Sequence, residues 1–163
     1  MKLRREEVLA EAAVTYLDFL SSINWENELF VKGINEGKNK FLSNLYISML
    51  KKNKYLISNY YSKEAAIQLK QNDFRDLVFE HMIPKQKYIQ SPCEKIAQME
   101  ISYEEKLNLI RMNLNEKWHI ATITKTENKT LKLGKTMPLN QENNIFARYE
   151  KFNIELVTNP LWK

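Results

Sequence analysis

Hydrophobic positions in the first part of the chain repeat with the period of an α-helix. Over residues 4–20 an apolar residue recurs every three or four positions, which predicts an amphipathic helix. Lys40–Lys51 shows a second apolar pattern, and Ser62 is placed to cap a further helix that ends near Gln71. Gly33 and Gly37 predict an interruption before the second pattern. The buried face of the first helix should contain Leu9, Ala13, Tyr16, Leu17 and Leu20.

The pattern changes near residue 75. Residues 76–83 form a short apolar run closed by Pro84, and residues 118–124 are β-branched or aromatic almost throughout, so both segments are predicted to be strands. Between them, Ser102 and Glu105 form a capping box in front of a helix with a regular apolar stripe. After the second strand, Thr126 is predicted to cap a short helix over residues 127–133 that ends before Gly134.

This succession predicts an α+β fold that is mostly helical. Residues 1–75 would form a helical N-terminal part, packed with a small ββα-like core over residues 76–163 that carries an inserted helix. The core would end in a short helix around residues 146–152 and an extended piece over residues 154–157. If the two strands pair antiparallel, Glu80 and Thr124 should lie near the same end of the pair.

Composition limits the partners, the bound metals and the cellular compartment that are expected for this chain. The 163 residues carry 25 Lys and Arg against 20 Asp and Glu, a net charge of +5 that permits contact with nucleic acid without demanding it. Cys93 is the single cysteine, so an intramolecular disulfide and a multi-cysteine zinc site are excluded, and a reducing cytoplasm is expected. No segment has the apolar length of a membrane span, and acidic residues near the start argue against a usual signal peptide.

Candidate chemistry is concentrated at the two predicted strands. Glu80 and His81 stand side by side at the end of the first, and Asn128 follows the second at the start of a helix. Carboxylate and amide oxygens are ligands that Mg²⁺ and Mn²⁺ prefer, and a histidine can deprotonate water near neutral pH. A metal ion held in this way could stabilise the transition state of phosphodiester hydrolysis. The sequence has no G-x-S-x-G, phosphate-binding glycine loop or H-E-x-x-H motif.

The segments EHMIP (residues 80–84) and ITKTENK (residues 123–129) resemble those of the HNH, or ββα-metal, endonucleases. The resemblance covers residues 77–134 and says nothing of residues 1–75. It implies that Glu80 binds Mg²⁺ or Mn²⁺, that His81 is the general base and that Asn128 is the second protein ligand. DNA would then be the substrate, in a host-defence or mobile-element context. It also makes a homodimer plausible, with the stripe of the first helix as a candidate interface, although a core stripe is the simpler interpretation.

Other interpretations of the same residues stay open. Glu80 and His81 can be polar groups at a strand end, and His119, between Trp118 and Ile120, is expected to be structural. Arg148 in the predicted C-terminal helix can contact a phosphate or a carboxylate. The chain could therefore be a non-enzymatic interaction protein, a small helical binder or inhibitor of a larger macromolecule. It could also be a degenerate HNH fold that binds without cutting.

Overall fold

A computed structural model describes residues 4–132 and 136–162 of the chain. Within these residues the fold is α+β and mostly helical, which confirms the predicted class. A π-helical turn, Gln86–Gln90, runs directly into the fourth helix. The helices are α1 (Arg5–Ser21), α2 (Glu28–Leu50), α3 (Lys63–Lys70), α4 (Ser91–Ala97), α5 (Tyr103–Lys117), α6 (Lys125–Leu131) and α7 (Ala147–Lys151).

Local capping chemistry explains where several helices begin. The Ser102 hydroxyl accepts the amide of Glu105, and the Glu105 carboxylate accepts the Ser102 amide, so the predicted capping box opens α5. The Ser62 hydroxyl accepts the Ala65 amide and opens α3, also as predicted. The prediction that Thr126 caps α6 is wrong, because Thr124 occupies that position and forms a capping box with Glu127.

Helix α2 departs most from its predicted boundaries. Asn27 caps it with a side chain that accepts the Phe30 amide, and the helix continues from Glu28 without a break through Gly33 and Gly37. An interior glycine costs about 1 kcal/mol relative to alanine, so it weakens a helix without having to end it. Lys51 closes the helix in the left-handed conformation, with φ of 48°.

Four strands form one mixed sheet: β1 (Tyr60–Ser62), β2 (Leu77–His81), β3 (Ile120–Thr124) and β4 (Leu156–Thr158). Their order is β2-β3-β1-β4, in which β2 and β4 pair antiparallel with their neighbours and β1 pairs parallel with β3. Strand β1 was not predicted, and it places part of residues 1–75 inside the same sheet as β2 and β3.

Both faces of the sheet are covered. The larger core packs α1, α2, α4 and α5 against Ile120 and Phe79, while a smaller core packs Leu131 and Tyr149 against Ala121 and Ile123. All five residues of β3 are buried. The predicted stripe of α1 is fully buried within this chain, so it forms core rather than a dimer interface. No helix of the described residues is long and apolar enough to cross a membrane.

Candidate functional site

The two strands of the predicted ββα core are paired antiparallel, as expected. Leu77 is opposite Thr124, and His81 is opposite Ile120. Glu80 therefore faces Ala121, three residues from Thr124, which corresponds to about 10 Å along a strand. The prediction that Glu80 and Thr124 lie near the same end of the pair is wrong, since the antiparallel register places them toward opposite ends.

Glu80 lies on the sheet face that α7 covers. Its carboxylate accepts a hydrogen bond from Arg148 Nη2 at 3.1 Å, and Arg148 Nη1 donates to the carbonyl of His81 at 3.1 Å. The Arg148 side chain is 6 % exposed and that of Glu80 is 24 % exposed. Burial raises the pKa of the Glu80 carboxyl, and the positive charge of Arg148 opposes that rise. The residue predicted to bind a metal is thus already paired with an internal cation.

His81 lies on the opposite face of the sheet from Glu80, because successive strand residues alternate. Its ring packs edge-to-face on Trp118 at 4.6 Å, and its Nε2 is 3.3 Å from the Ser43 hydroxyl. Lys85 Nζ also donates to the Ser43 hydroxyl, at 3.1 Å. Burial, with a smaller contribution from the positive charge of Lys85, lowers the pKa of His81 to about 3.

The three side chains Ser43, His81 and Lys85 meet without forming a nucleophilic site. A histidine that activates a serine needs a partner on its second ring nitrogen and a pKa near the working pH. The Nδ1 of His81 is buried and no described residue bonds to it. A histidine with a pKa near 3 is a weak base, so this arrangement favours a structural role for His81 between α2 and the sheet.

Asn128 lies in α6, which starts from the Leu77 end of the strand pair. It is half-buried, and among the described residues no side-chain hydrogen bond joins it to Glu80 or His81. Within the segment ITKTENK, Thr124 and the neighbouring Glu127 form a capping box, so a structural role explains this part of the resemblance. The Glu127 carboxylate accepts the Thr124 amide at 2.7 Å and the Ser62 hydroxyl at 2.7 Å, so it caps α6 and ties it to β1.

The structure therefore does not bring Glu80, His81 and Asn128 together at one point. Among residues 4–132 and 136–162, no group of three or more His, Cys, Asp or Glu side chains is placed to share a metal ion. The metal and base assignments remain predictions. Arg148 changes the interpretation of Glu80, because it supplies the partner of that carboxylate. The sequence placed Arg148 in a C-terminal helix where it could contact a carboxylate, but no motif identified Glu80 as the partner.

A second candidate site lies at the other edge of the sheet. A groove of about 600 Å³ opens between α3 and β4, within the size range of ligand pockets in proteins. Ile67 is 54 % exposed and Val157 is 37 % exposed at this groove. The charged residues of its lining are Lys63 and Lys70, and the remaining lining residues are Tyr61, Ala66, Ile67, Leu69, Val157, Thr158 and Pro160.

The groove was not predicted from the sequence. Its floor depends on β1 and on the pairing of Tyr61 with Val157, two residues 96 positions apart (157 minus 61). The sequence contained only a weak signal for the groove, the apolar residues Ala65, Ala66 and Leu69 of α3, of which only Ala65 is fully buried.

Comparisons with protein-family models, with curated proteins and with solved structures gave no significant match to this chain.

Proposed function

We propose that this protein is a non-enzymatic interaction protein that binds a partner at the groove between α3 and β4. The observation that carries the proposal is the exposed apolar lining of this groove, with Ile67 more than half exposed beside an edge strand. Exposed apolar surface bordered by polar groups marks binding sites on soluble proteins. The pairing of Glu80 with Arg148 supports this proposal, because it gives Glu80 a partner inside the fold.

A peptide selection tests the groove with ligands of random sequence. Peptides selected from a random display library on the intact protein should bind less tightly, by at least about tenfold, when Ile67 is replaced by aspartate. A tenfold change corresponds to about 1.4 kcal/mol, and a buried charge opposite an apolar side chain costs at least that much. Fluorescence polarisation of the labelled peptides measures the dissociation constants.

Met112→Asp is the matched control for Ile67→Asp. Met112 is 59 % exposed on α5, and Ile67 is 54 % exposed on α3, so both changes add a charge at a similarly exposed helix position. Binding should change less than twofold in the control. Failure to select any peptide, or selected peptides that lose equal affinity with both variants, would remove the groove as the binding site.

The metal-dependent HNH-like endonuclease is the second candidate function. The order of antiparallel β2 and β3 followed by α6 favours it, because it reproduces the ββα order of the resemblance, and the net charge of +5 suits a DNA partner. In this hypothesis a homodimer in the cytoplasm would cut DNA with Mg²⁺ or Mn²⁺ bound to Glu80 and Asn128, and His81 would activate water.

A plasmid-nicking assay separates the two candidates. If His81 is the general base, His81→Ala should lower cleavage with Mg²⁺ or Mn²⁺ by about 10²–10⁴-fold while DNA affinity is retained. His119→Ala is the control, since it changes a second buried imidazole without touching the predicted site. Glu80→Gln and Asn128→Ala should abolish any rise of the melting temperature caused by the metal. An unmodified protein that neither nicks DNA nor gains stability with either metal excludes this function and leaves the interaction proposal standing.

A further inference from the structure

We infer that the partner is an extended peptide segment that pairs with the free edge of β4 and places apolar and acidic side chains in the groove. This inference rests on the proposed function and specifies the binding mode and the chemistry of the ligand. It follows from three independent features: the direction of the backbone groups of β4, the alternation of side chains along a strand, and the charges around the groove.

The hydrogen bonds between β4 and β1 identify the unpaired backbone groups. The Lys63 amide donates to the Glu155 carbonyl, and the Asn159 amide donates to the Asn59 carbonyl. In an antiparallel pair the residues that bond to a neighbour alternate, so Val157, opposite Tyr61, also faces β1. Leu156 and Thr158 then direct their N–H and C=O groups outward.

This outward edge is open to another strand. Strand β4 is the last in the order β2-β3-β1-β4, and Val157 and Thr158 are exposed. Among the described residues, none bonds to the outward backbone groups of Leu156 and Thr158. An added strand finds two N–H donors and two C=O acceptors there, which is the basis of peptide recognition by β-strand addition.

The groove continues the side of β4 on which Val157 projects. A strand added at the edge directs every second side chain to that side, and these side chains would cover Ile67 and Val157. An apolar residue at such a position buries exposed apolar surface of both molecules. The intervening peptide residues face the opposite side of the sheet, so only every second peptide side chain contacts the groove.

Charge complementarity selects an acidic peptide. The charged residues that line the groove are Lys63 and Lys70, which begin and end α3. Lys63 pairs with Glu155, and its side chain remains 61 % exposed. Among the described residues no hydrogen bond or ion pair involves the Lys70 ammonium group. Carboxylates two positions from the central apolar residue would project on the same side and approach these lysines.

The probe is a synthetic heptapeptide with isoleucine at its centre, aspartate two positions to either side, and threonine elsewhere. On its binding, the amide hydrogen exchange of Leu156 and Thr158 should slow by at least about tenfold, while that of Val157, already bonded to β1, should change little. Thr158→Pro should weaken binding by at least about tenfold, because proline removes an outward N–H and leaves the bonds to β1 intact.

Two further measurements keep the test independent of how well Thr158→Pro folds. Methylation of the backbone nitrogens of the peptide should abolish binding to the unmodified protein. Lys70→Glu should weaken binding of the aspartate peptide and strengthen binding of a peptide with lysine in place of aspartate. Lys95→Glu, a charge reversal on α4, should change the affinity for neither peptide.

The outcomes distinguish this inference from the proposed function. If the library peptides depend on Ile67 but the amides of Leu156 and Thr158 stay unprotected, the binding mode is wrong and the groove remains the binding site. If binding does not depend on Ile67, the proposed function fails as well. Dimerisation of the unliganded protein that Thr158→Pro abolishes would identify a second copy as the occupant. Displacement of the peptide by single-stranded DNA would identify a nucleic acid. Either result would overturn the inference.

Discussion

Replacement of Arg148 by methionine should lower the free energy of unfolding at pH 7 by about 3–5 kcal/mol. The guanidinium is the ion-pair partner of the half-buried Glu80 carboxylate, and it also donates to the carbonyl oxygens of His81 and Met82. Methionine keeps much of the apolar volume but leaves the half-buried carboxylate of Glu80 without its cation. Urea unfolding followed by circular dichroism measures the loss.

Three comparisons test whether the lost stability comes from the uncompensated charge of Glu80 or from lost packing. Arg75→Met removes an arginine whose side chain is 86 % exposed, and we expect a change within about 0.5 kcal/mol. Glu80→Gln in the Arg148→Met background should recover part of the loss, because it removes the uncompensated charge. Burial raises the pKa of Glu80 and Arg148 opposes that rise, so in the Arg148→Met variant the pKa should rise further. The variant then regains stability as this carboxyl is protonated, and the deficit should shrink toward pH 4. A deficit that is equal at pH 7 and pH 4, and is not reduced by Glu80→Gln, would show that lost packing rather than charge is responsible.

The elements with regular periodicity or explicit capping signals were predictable from the sequence. The stripe of α1 repeats at every third or fourth residue, and the capping box of α5 joins Ser102 to Glu105, so local spacing determines both. The interruption predicted at Gly33 and Gly37 is wrong. The cost of an interior glycine is small compared with the stabilisation that α2 gains from packing Leu42, Tyr46 and Leu50. Strand β1 has three residues and is stabilised by pairing with β3 and β4, which is not visible in its own sequence.

The candidate site could not be predicted in the same way, because its geometry depends on long-range pairing. Glu80 and His81 are neighbours in sequence, and the alternation of a strand separates their side chains onto opposite faces. The partner that neutralises Glu80 is 68 residues away in sequence. The residues before Asn128 have a structural role of their own, because Thr124 and Glu127 form the capping box that starts α6. A short motif can therefore match a family pattern through capping chemistry alone.

Acidification from pH 7.5 to pH 5 should lower the stability of the protein through its two histidines. Burial lowers the pKa of His81 to about 3 and, together with the charge of Arg5, lowers that of His119 to about 4. The Nε2 of His119 lies 3.3 Å from the Arg5 guanidinium, so a proton there would face a fixed positive charge. The unfolded chain takes up protons near pH 6.5 and the folded chain does not, so folding stability is complete above pH 6.5 and falls below it. By pH 5 each histidine should account for about 2 kcal/mol.

Glutamine variants assign this pH dependence to individual residues. His81→Gln and His119→Gln remove one titrating group each, so each should remove about half of the loss between pH 7.5 and pH 5 measured by urea unfolding. The double variant should be nearly insensitive to pH in this range, apart from the opposing contribution of Glu80, whose raised pKa favours the folded state on acidification. An unchanged pH dependence in both single variants would mean that the two imidazoles take up protons near pH 6.5 in the folded protein, as they do in the unfolded chain. His81 would then have a pKa suited to a general base, and the endonuclease hypothesis would regain its catalytic group.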